Sequence, residues 1–329
     1  MGYFINNNGT APPPGLLLPP STSTPGGGIT WDRWVSNYTG AKLYNYAVSG
    51  AVCDNKIIYR YLASIFGPFP DVVYEVDAFI ADTKFVNATT KKNTLYPNRY
   101  EDNTVYSMWI GTNDLGNGAF LTDSSLHGTT IPDYVDCIFD RFDEIYKNGG
   151  RYFVLMNTAP LELSPLYGLP GKGGLAASHY WPDKVSSLYP KCQSFLPTLT
   201  NHQPANVTEV SYKMKEYTNL VNSIFDYRAP FEIKIAKRYP GASIAVFDVH
   251  SLMTDIYNNP TKYLSSPANV EGQYYLCDVA TGSNCTTSSL SLDHYMWYDE
   301  LHPSERTDQV IAKEFEKVVK GKSSYATYW

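Results

Sequence analysis

The sequence predicts an α/β fold, a three-layer α/β/α sandwich of flavodoxin-like topology built on a parallel sheet. Three observations carry that expectation. Four short apolar runs, residues 42–48, 105–110, 151–156 and 243–247, have strand length and are bounded by Gly or Asn. Long segments with helical spacing of apolar residues separate them, and strands alternating with helices imply βαβ units whose sheet is covered on both faces. With 329 residues, 43% of them hydrophobic, the chain can fill a large core. Neither a repeat nor a linker composition interrupts it, so residues 1–329 are read as a single domain.

Taken in order, residues 1–28 form an irregular Pro/Gly-rich loop, with Pro12-Pro13-Pro14, Pro19-Pro20 and Gly26-Gly27-Gly28. Leu16 to Leu18 give that loop an apolar patch to lay against the body. Globular patterning begins at Ile29, where Trp31, Trp34 and Val35 recur at helical spacing with Asp32 in the first turn. Further helices are predicted over 134–147, over 207–229 continuing through 231–239, and over 307–320. The last carries Val310, Ile311, Phe315, Val318 and Val319 on one face. Residues 161–208 and 257–297 are too long for simple connections and are expected to be lids or walls around a site.

Composition excludes several functions. A net charge of −6 and a pI near 5.5, with no basic cluster beyond Lys91-Lys92 and Lys320-Gly321-Lys322, argue against nucleic acid. No apolar run approaches the ~18 residues that span a bilayer. Five Asn-X-Ser/Thr sequons, at Asn8, Asn37, Asn87, Asn206 and Asn284, suggest an extracellular protein. Of five cysteines (53, 137, 192, 277 and 285), Cys277 and Cys285 bracket a loop that suits a disulfide, and the odd total leaves at least one without an internal partner. No close Cys spacing suggests a metal site. Residues 1–20 hold no signal-peptide core, so extracellular destination implies a leader upstream of Met1.

Three segments could carry chemistry. In Asp299-Glu300-Leu301-His302, an Asp three residues before a His can place its carboxylate on the imidazole, leaving the other ring nitrogen as a general base. The same residues could equally form the entry to the last helix. Gly111-Thr112-Asn113-Asp114 leaves the strand at 105–110, where a parallel sheet presents its ligand crevice, and Asn113 could donate to an oxyanion or merely form a turn. Asn45-Tyr46-Ala47-Val48-Ser49-Gly50-Ala51 ends another predicted strand. The Gly50 amide is a possible second oxyanion donor, or Gly50 simply supplies backbone freedom. Ser49 lacks the flanking glycines of a nucleophile elbow. Asp248-Val249-His250 reads as a cap at a strand end. A metal set of His294, His302 and Asp299 lacks ordered ligand spacing. Trp297 and Tyr298, beside the Asp/His pair, could wall an acyl group or stack on a sugar.

In this order, the three segments resemble three of the four blocks of the Gly-Asp-Ser (SGNH) esterase superfamily. Across residues 3–329 the chain is similar to the fungal secreted type, the family 16 carbohydrate esterases that remove acetyl groups. The resemblance implies a secreted monomeric glycoprotein that hydrolyses small esters, acetylated carbohydrate among them, by Ser-His-Asp acyl transfer without metal or organic cofactor. It makes His302 the base, Asp299 its partner, and Gly50 and Asn113 oxyanion donors. The fourth block, the Gly-Asp-Ser nucleophile at the end of the first strand, does not occur in the sequence. In a flavodoxin-like order that strand is central, so a chain without it leaves backbone groups unpaired. The expectation is a chain whose nucleophile strand lies upstream and which is inactive without it. The rival is a catalytically dead carbohydrate- or lipid-binding module.

Overall fold

The structure, a computed structural model, describes residues 13–16, 24–63, 67–184 and 206–329. Its centre is a four-stranded sheet of order β4-β3-β2-β1, comprising β1 (Val105–Trp109), β2 (Tyr152–Met156), β3 (Ser243–Phe247) and β4 (Ala326–Tyr328). The first three are parallel, and β4 is antiparallel to β3. Val105 lies opposite Tyr152, and Tyr152 opposite Ser243. The three parallel strands therefore start and stop level, and their carboxyl ends make one rim. Each lies where an apolar run predicts it; β4, from the C-terminus, was not anticipated, being too short to show a strand period.

Side-chain alternation assigns the two covering layers. Trp109 points to one face, where its ring lies 6.2 Å from Trp31 of α1 (Trp31–Thr39). Trp31 in turn packs at 5.0 Å on Phe315 of α6 (Glu305–Val319), which also meets Phe247. Tyr106, three residues earlier in β1, points the other way, to Phe79 of α2 (Val72–Lys84) at 5.6 Å. On that second face Phe153 of β2 packs 5.1 Å from Phe142 of α3 (Ile131–Lys147), and α4 (Val207–Pro230) lies beside α3. Two helical layers enclose the sheet, as the alternation of strands and helices requires.

Side-chain caps start several of the helices. Thr130 and Asp133 form a capping box ahead of α3, whose buried Tyr134, Ile138, Phe142 and Ile145 recur every three or four residues. Asn206 accepts from the Glu209 amide at 3.0 Å to open α4, and Pro230 passes the chain into a π-turn over Phe231–Ile235. The Ser304 hydroxyl caps α6 through the Thr307 amide at 3.2 Å and donates to the Tyr295 carbonyl at 2.6 Å. Asp248 caps α5 (Val249–Asn258) through the Ser251 amide, so it is a helix cap at the end of β3.

Residues 42–48 depart from expectation: they are not a strand. Tyr46 reaches towards α2, donating to Asp82 at 2.8 Å, whereas the neighbouring Asn45 reaches towards α1 and donates to Asp32 at 2.5 Å. Consecutive side chains thus point to opposite layers, as along a strand. The backbone amides, however, go to side chains: Val48 N–H to Glu75 at 2.6 Å and Ala47 N–H to Asn45 at 2.7 Å. Among the described residues nothing pairs with the outer edge of β1, and Val105 there is 39% exposed.

Cys277 and Cys285 are bridged as the loop spacing suggests. A second disulfide, Cys53–Cys137, ties the turn after residue 48 to α3, a pairing invisible in the sequence because 84 positions separate its halves. Cys192, Asn8, residues 185–205 and most of the amino-terminal loop lie outside the described residues. Loop-closure entropy ranks the bridges: about 4–5 kcal/mol for the 84-residue separation and about 2–3 kcal/mol for the separation of 8. Denaturant unfolding of Cys53→Ala/Cys137→Ala is expected to show the larger loss, and Cys277→Ala/Cys285→Ala the smaller.

Candidate active site

The Asp299–His302 pair is assembled by its own loop. Asp299 Oδ1 accepts the amides of Leu301 at 2.9 Å and His302 at 2.7 Å, an Asx-type turn that folds the chain back over the carboxylate. The imidazole then meets the same carboxylate, with Nδ1 at 2.9 Å from Oδ2. A backbone bond from Tyr298 N–H to the His302 carbonyl at 2.8 Å closes the loop. Asp299 is 3% exposed. Burial alone would raise its pKa, but the His302 hydrogen bond and charge and the two amides outweigh it and hold the carboxyl below its usual range. An ionised Asp at Nδ1 fixes the tautomer that leaves Nε2 as a base, and no described residue hydrogen-bonds Nε2.

Gly50 and Asn113 meet at the rim by β1. Gly50 has φ +94°, a conformation that favours glycine, in the turn closed by Ala51 N–H on the Val48 carbonyl. Asn113 sits in the turn of helix Thr112–Leu115 that directly follows β1, and one hydrogen of its amide goes to the Ala51 carbonyl at 3.0 Å. Among the described residues, its second amide hydrogen and the Gly50 N–H have no acceptor. Gly111 permits this turn: a Cβ there would stand 2.5 Å from the hydroxyl of fully buried Tyr134.

Sequence reasoning missed Arg60, which sets the orientation of Asn113. Its Nη1 donates to the Gly50 carbonyl at 2.6 Å and to Asn113 Oδ1 at 3.2 Å. A donor-only guanidinium on Oδ1 and an acceptor-only carbonyl on Nδ2 allow the amide one orientation. Asp114, fully buried beside this pair, accepts the Cys53 amide at 2.8 Å on Oδ1, and its Oδ2 has no partner among the described residues. No pattern in the sequence could show this, since Arg60 is 53 residues from Asn113.

Residues 161–184, part of the segment expected to form a wall, join the two halves of the rim. Leu166 N–H donates to the Glu300 carbonyl at 2.7 Å beside the Asp/His pair, and the next residue, Tyr167, takes the Asn117 amide at 3.0 Å beyond the Asn113 turn. Fully buried Lys184 braces this wall through the carbonyls of Leu166 and Leu175, and burial lowers its pKa to about 8. From the same segment Tyr180 donates to Asp299 Oδ2 at 2.8 Å, and His179 Nδ1 meets Glu300 Oε1 at 2.9 Å.

Trp297 requires correction as a substrate-binding residue. It is 1% exposed, paired beside residues 269–273, with its indole N–H on the Val270 carbonyl at 3.1 Å, so neither ring face can reach a ligand. The aromatic ring that meets His302 comes instead from Tyr180, with centroids 5.8 Å apart, while Tyr298 stacks at 5.1 Å on Tyr275. His294 turns to the Pro267 carbonyl, and among the described residues no group of His, Cys, Asp or Glu is arranged to hold a metal ion. His250 meets Glu162 at 3.3 Å.

Two buried acids near the rim give a pH dependence. Desolvation raises Asp114 to about 7, against the Cys53 amide, and Glu75 to about 8, against the Val48 amide. Their folded pKa values exceed the unfolded ones of about 4, so the native state keeps protons that the unfolded chain has released. Their stabilisation is complete below about pH 4 and declines as pH rises towards about 7 for Asp114 and about 8 for Glu75. Asp114→Asn removes one of the two, so its thermal midpoint is expected to gain on the wild type as pH rises from about 5 to about 7. A constant difference across that range would contradict the assignment.

Comparison with known proteins places this geometry. The family model described as GDSL-like lipase/acylhydrolase matches residues 21–315. An acetylesterase of Hypocrea jecorina is 42% identical over 307 residues, 93% of this chain and 80% of that one. An acetylesterase of Thermothelomyces thermophilus is 20% identical, with 91% of this chain and 77% of that protein covered. The GDSL esterase/lipase APG of Arabidopsis thaliana is 29% identical over 87 residues, 24% of each chain. Family match, sheet order and rim geometry agree, and the chain belongs to the GDSL-like lipase/acylhydrolase family of carboxylic-ester hydrolases.

Proposed function

We propose that this chain is an acetylesterase of the extracellular space, acting on acetylated carbohydrate by acyl transfer to a serine, and that the serine arrives on a strand laid against the open edge of β1. The observation that carries this reading is the Asx-held Asp299–His302 pair on the same wall-bridged rim as the Gly50 and Asn113 donors. His302 Nε2 takes the serine proton as the hydroxyl attacks the ester carbonyl, while ionised Asp299 stabilises the imidazolium. The oxyanion receives the Gly50 N–H and the second Asn113 amide hydrogen. His302 then protonates the leaving alcohol, and water, deprotonated by the same nitrogen, releases the acid.

The acetyl group is suggested by the names of two relatives, and a sugar alcohol suits the Tyr180 ring beside the base, which is 39% exposed. Extracellular placement is supported by two disulfides and by exposed sequon residues Asn37, Asn206 and Asn284. No helix among the described residues is long and apolar enough to cross a membrane.

The test compares p-nitrophenyl acetate hydrolysis by the 329-residue chain and by the same chain extended at its amino end with a strand carrying Gly-Asp-Ser. The extended chain is expected to turn over and to lose roughly 10³-fold or more with His302→Ala. The unextended chain is expected to be inactive. Inhibitor-sensitive turnover by the unextended chain would overturn the strand assignment; inactivity of both folded forms would favour the binding-module reading.

A further inference from the structure

Asp299 serves more than the base. Its Oδ2 accepts two hydrogen bonds, from His302 Nδ1 at 2.9 Å and from the Tyr180 hydroxyl at 2.8 Å. The same tyrosine ring stands edge-on to the imidazole, with centroids 5.8 Å apart at 66°. A second acid–imidazole pair fixes Tyr180 from behind. Its neighbour His179 lies ring to ring with it at 3.8 Å, and His179 Nδ1 is held by Glu300, the residue next to Asp299. Glu300 is 2% exposed, its Oε2 has no partner among the described residues, and Gly282 of the Cys277–Cys285 loop lies against the His179 ring. The charged and titratable groups around the Asp299 carboxylate are thus His302, Glu300 and Tyr298 from its own segment, His179 and Tyr180 from the wall, and Tyr274 and Tyr275 behind Tyr298.

We propose that Tyr180 is a positioning residue that lowers the basicity of His302 by sharing its carboxylate. The inference rests on reading His302 as the base. A donor on Oδ2 draws negative charge from the oxygen that would otherwise stabilise the imidazolium, so the protonated ring is less favoured than in a simple Asp–His pair. Burial, then the charge and hydrogen bond of Asp299, then the Glu300 charge, push the phenol well above its ordinary range, so Tyr180 remains a protonated donor. The His179–Glu300 pair holds the ring in the one place from which its hydroxyl reaches Oδ2.

The test needs no turnover, so its outcome is independent of the esterase reading. The titration of the His302 ring is followed by histidine ¹³Cε1 NMR in the 329-residue chain, with His302→Asn assigning its signal among the six histidines. In Tyr180→Phe the His302 midpoint is expected to rise by about half to one pH unit. The Tyr180 side is 39% exposed, so loss of the hydroxyl leaves packing intact. In an Asp299→Asn background the same substitution is expected to shift the midpoint by less than a third as much, because the shared acceptor charge is gone. A midpoint in Tyr180→Phe that stays put or falls, or an equal rise in both backgrounds, would overturn the proposal.

Discussion

The level register of the three parallel strands is the constraint on which everything else in this protein depends. With Trp109, Met156 and Phe247 opposite one another, the segments leaving β1, β2 and β3 emerge at one rim. Side chains stitch that rim: the Trp109 indole donates to the Asn157 carbonyl at 3.0 Å, and the Asn157 amide donates to Asp248 at 2.8 Å. The Asn113 turn is the first structure beyond β1. Parallel strands meet this demand only because helices cover both faces, which is why so much sequence is spent on α1 to α6.

The rim is not self-sufficient. The Asp/His pair belongs to the loop before α6, whereas Gly50 and Asn113 belong to the turns before Ala51 and after β1. What holds them in one site is the wall at residues 161–184, whose Leu166 and Tyr167 make adjacent bonds to the two halves. A buried lysine on two carbonyls is an expensive brace, since desolvation disfavours its charge. Its presence indicates how strongly the wall's position is specified.

What was legible in the sequence follows from the range of the interactions. Strands β1 to β3 and the helices α3, α4 and α6 show their periods locally, and Asp299 and His302 are three residues apart, so one loop contains the whole pair. Gly50 and Asn113 were singled out through the resemblance of their blocks. Arg60, Tyr180, the His179–Glu300 pair and Cys53–Cys137 were not, because each acts across tens of residues and leaves no periodic trace. Trp297 misled for the opposite reason: its place next to the dyad in sequence says nothing about its direction, and in a strand neighbouring side chains point to opposite sides. Residues 42–48 carry strand composition, but a strand needs a partner, and composition cannot supply the ladder.

The central claim is that the acylated residue stands on a strand beside β1 and within reach of His302. Mapping the adduct of a fluorophosphonate on an active, amino-terminally extended chain by peptide mass spectrometry tests it most directly. The account predicts a single adduct on the serine of the added strand, lost with His302→Ala. An adduct on Ser49, or on any other serine within residues 1–329, would contradict it.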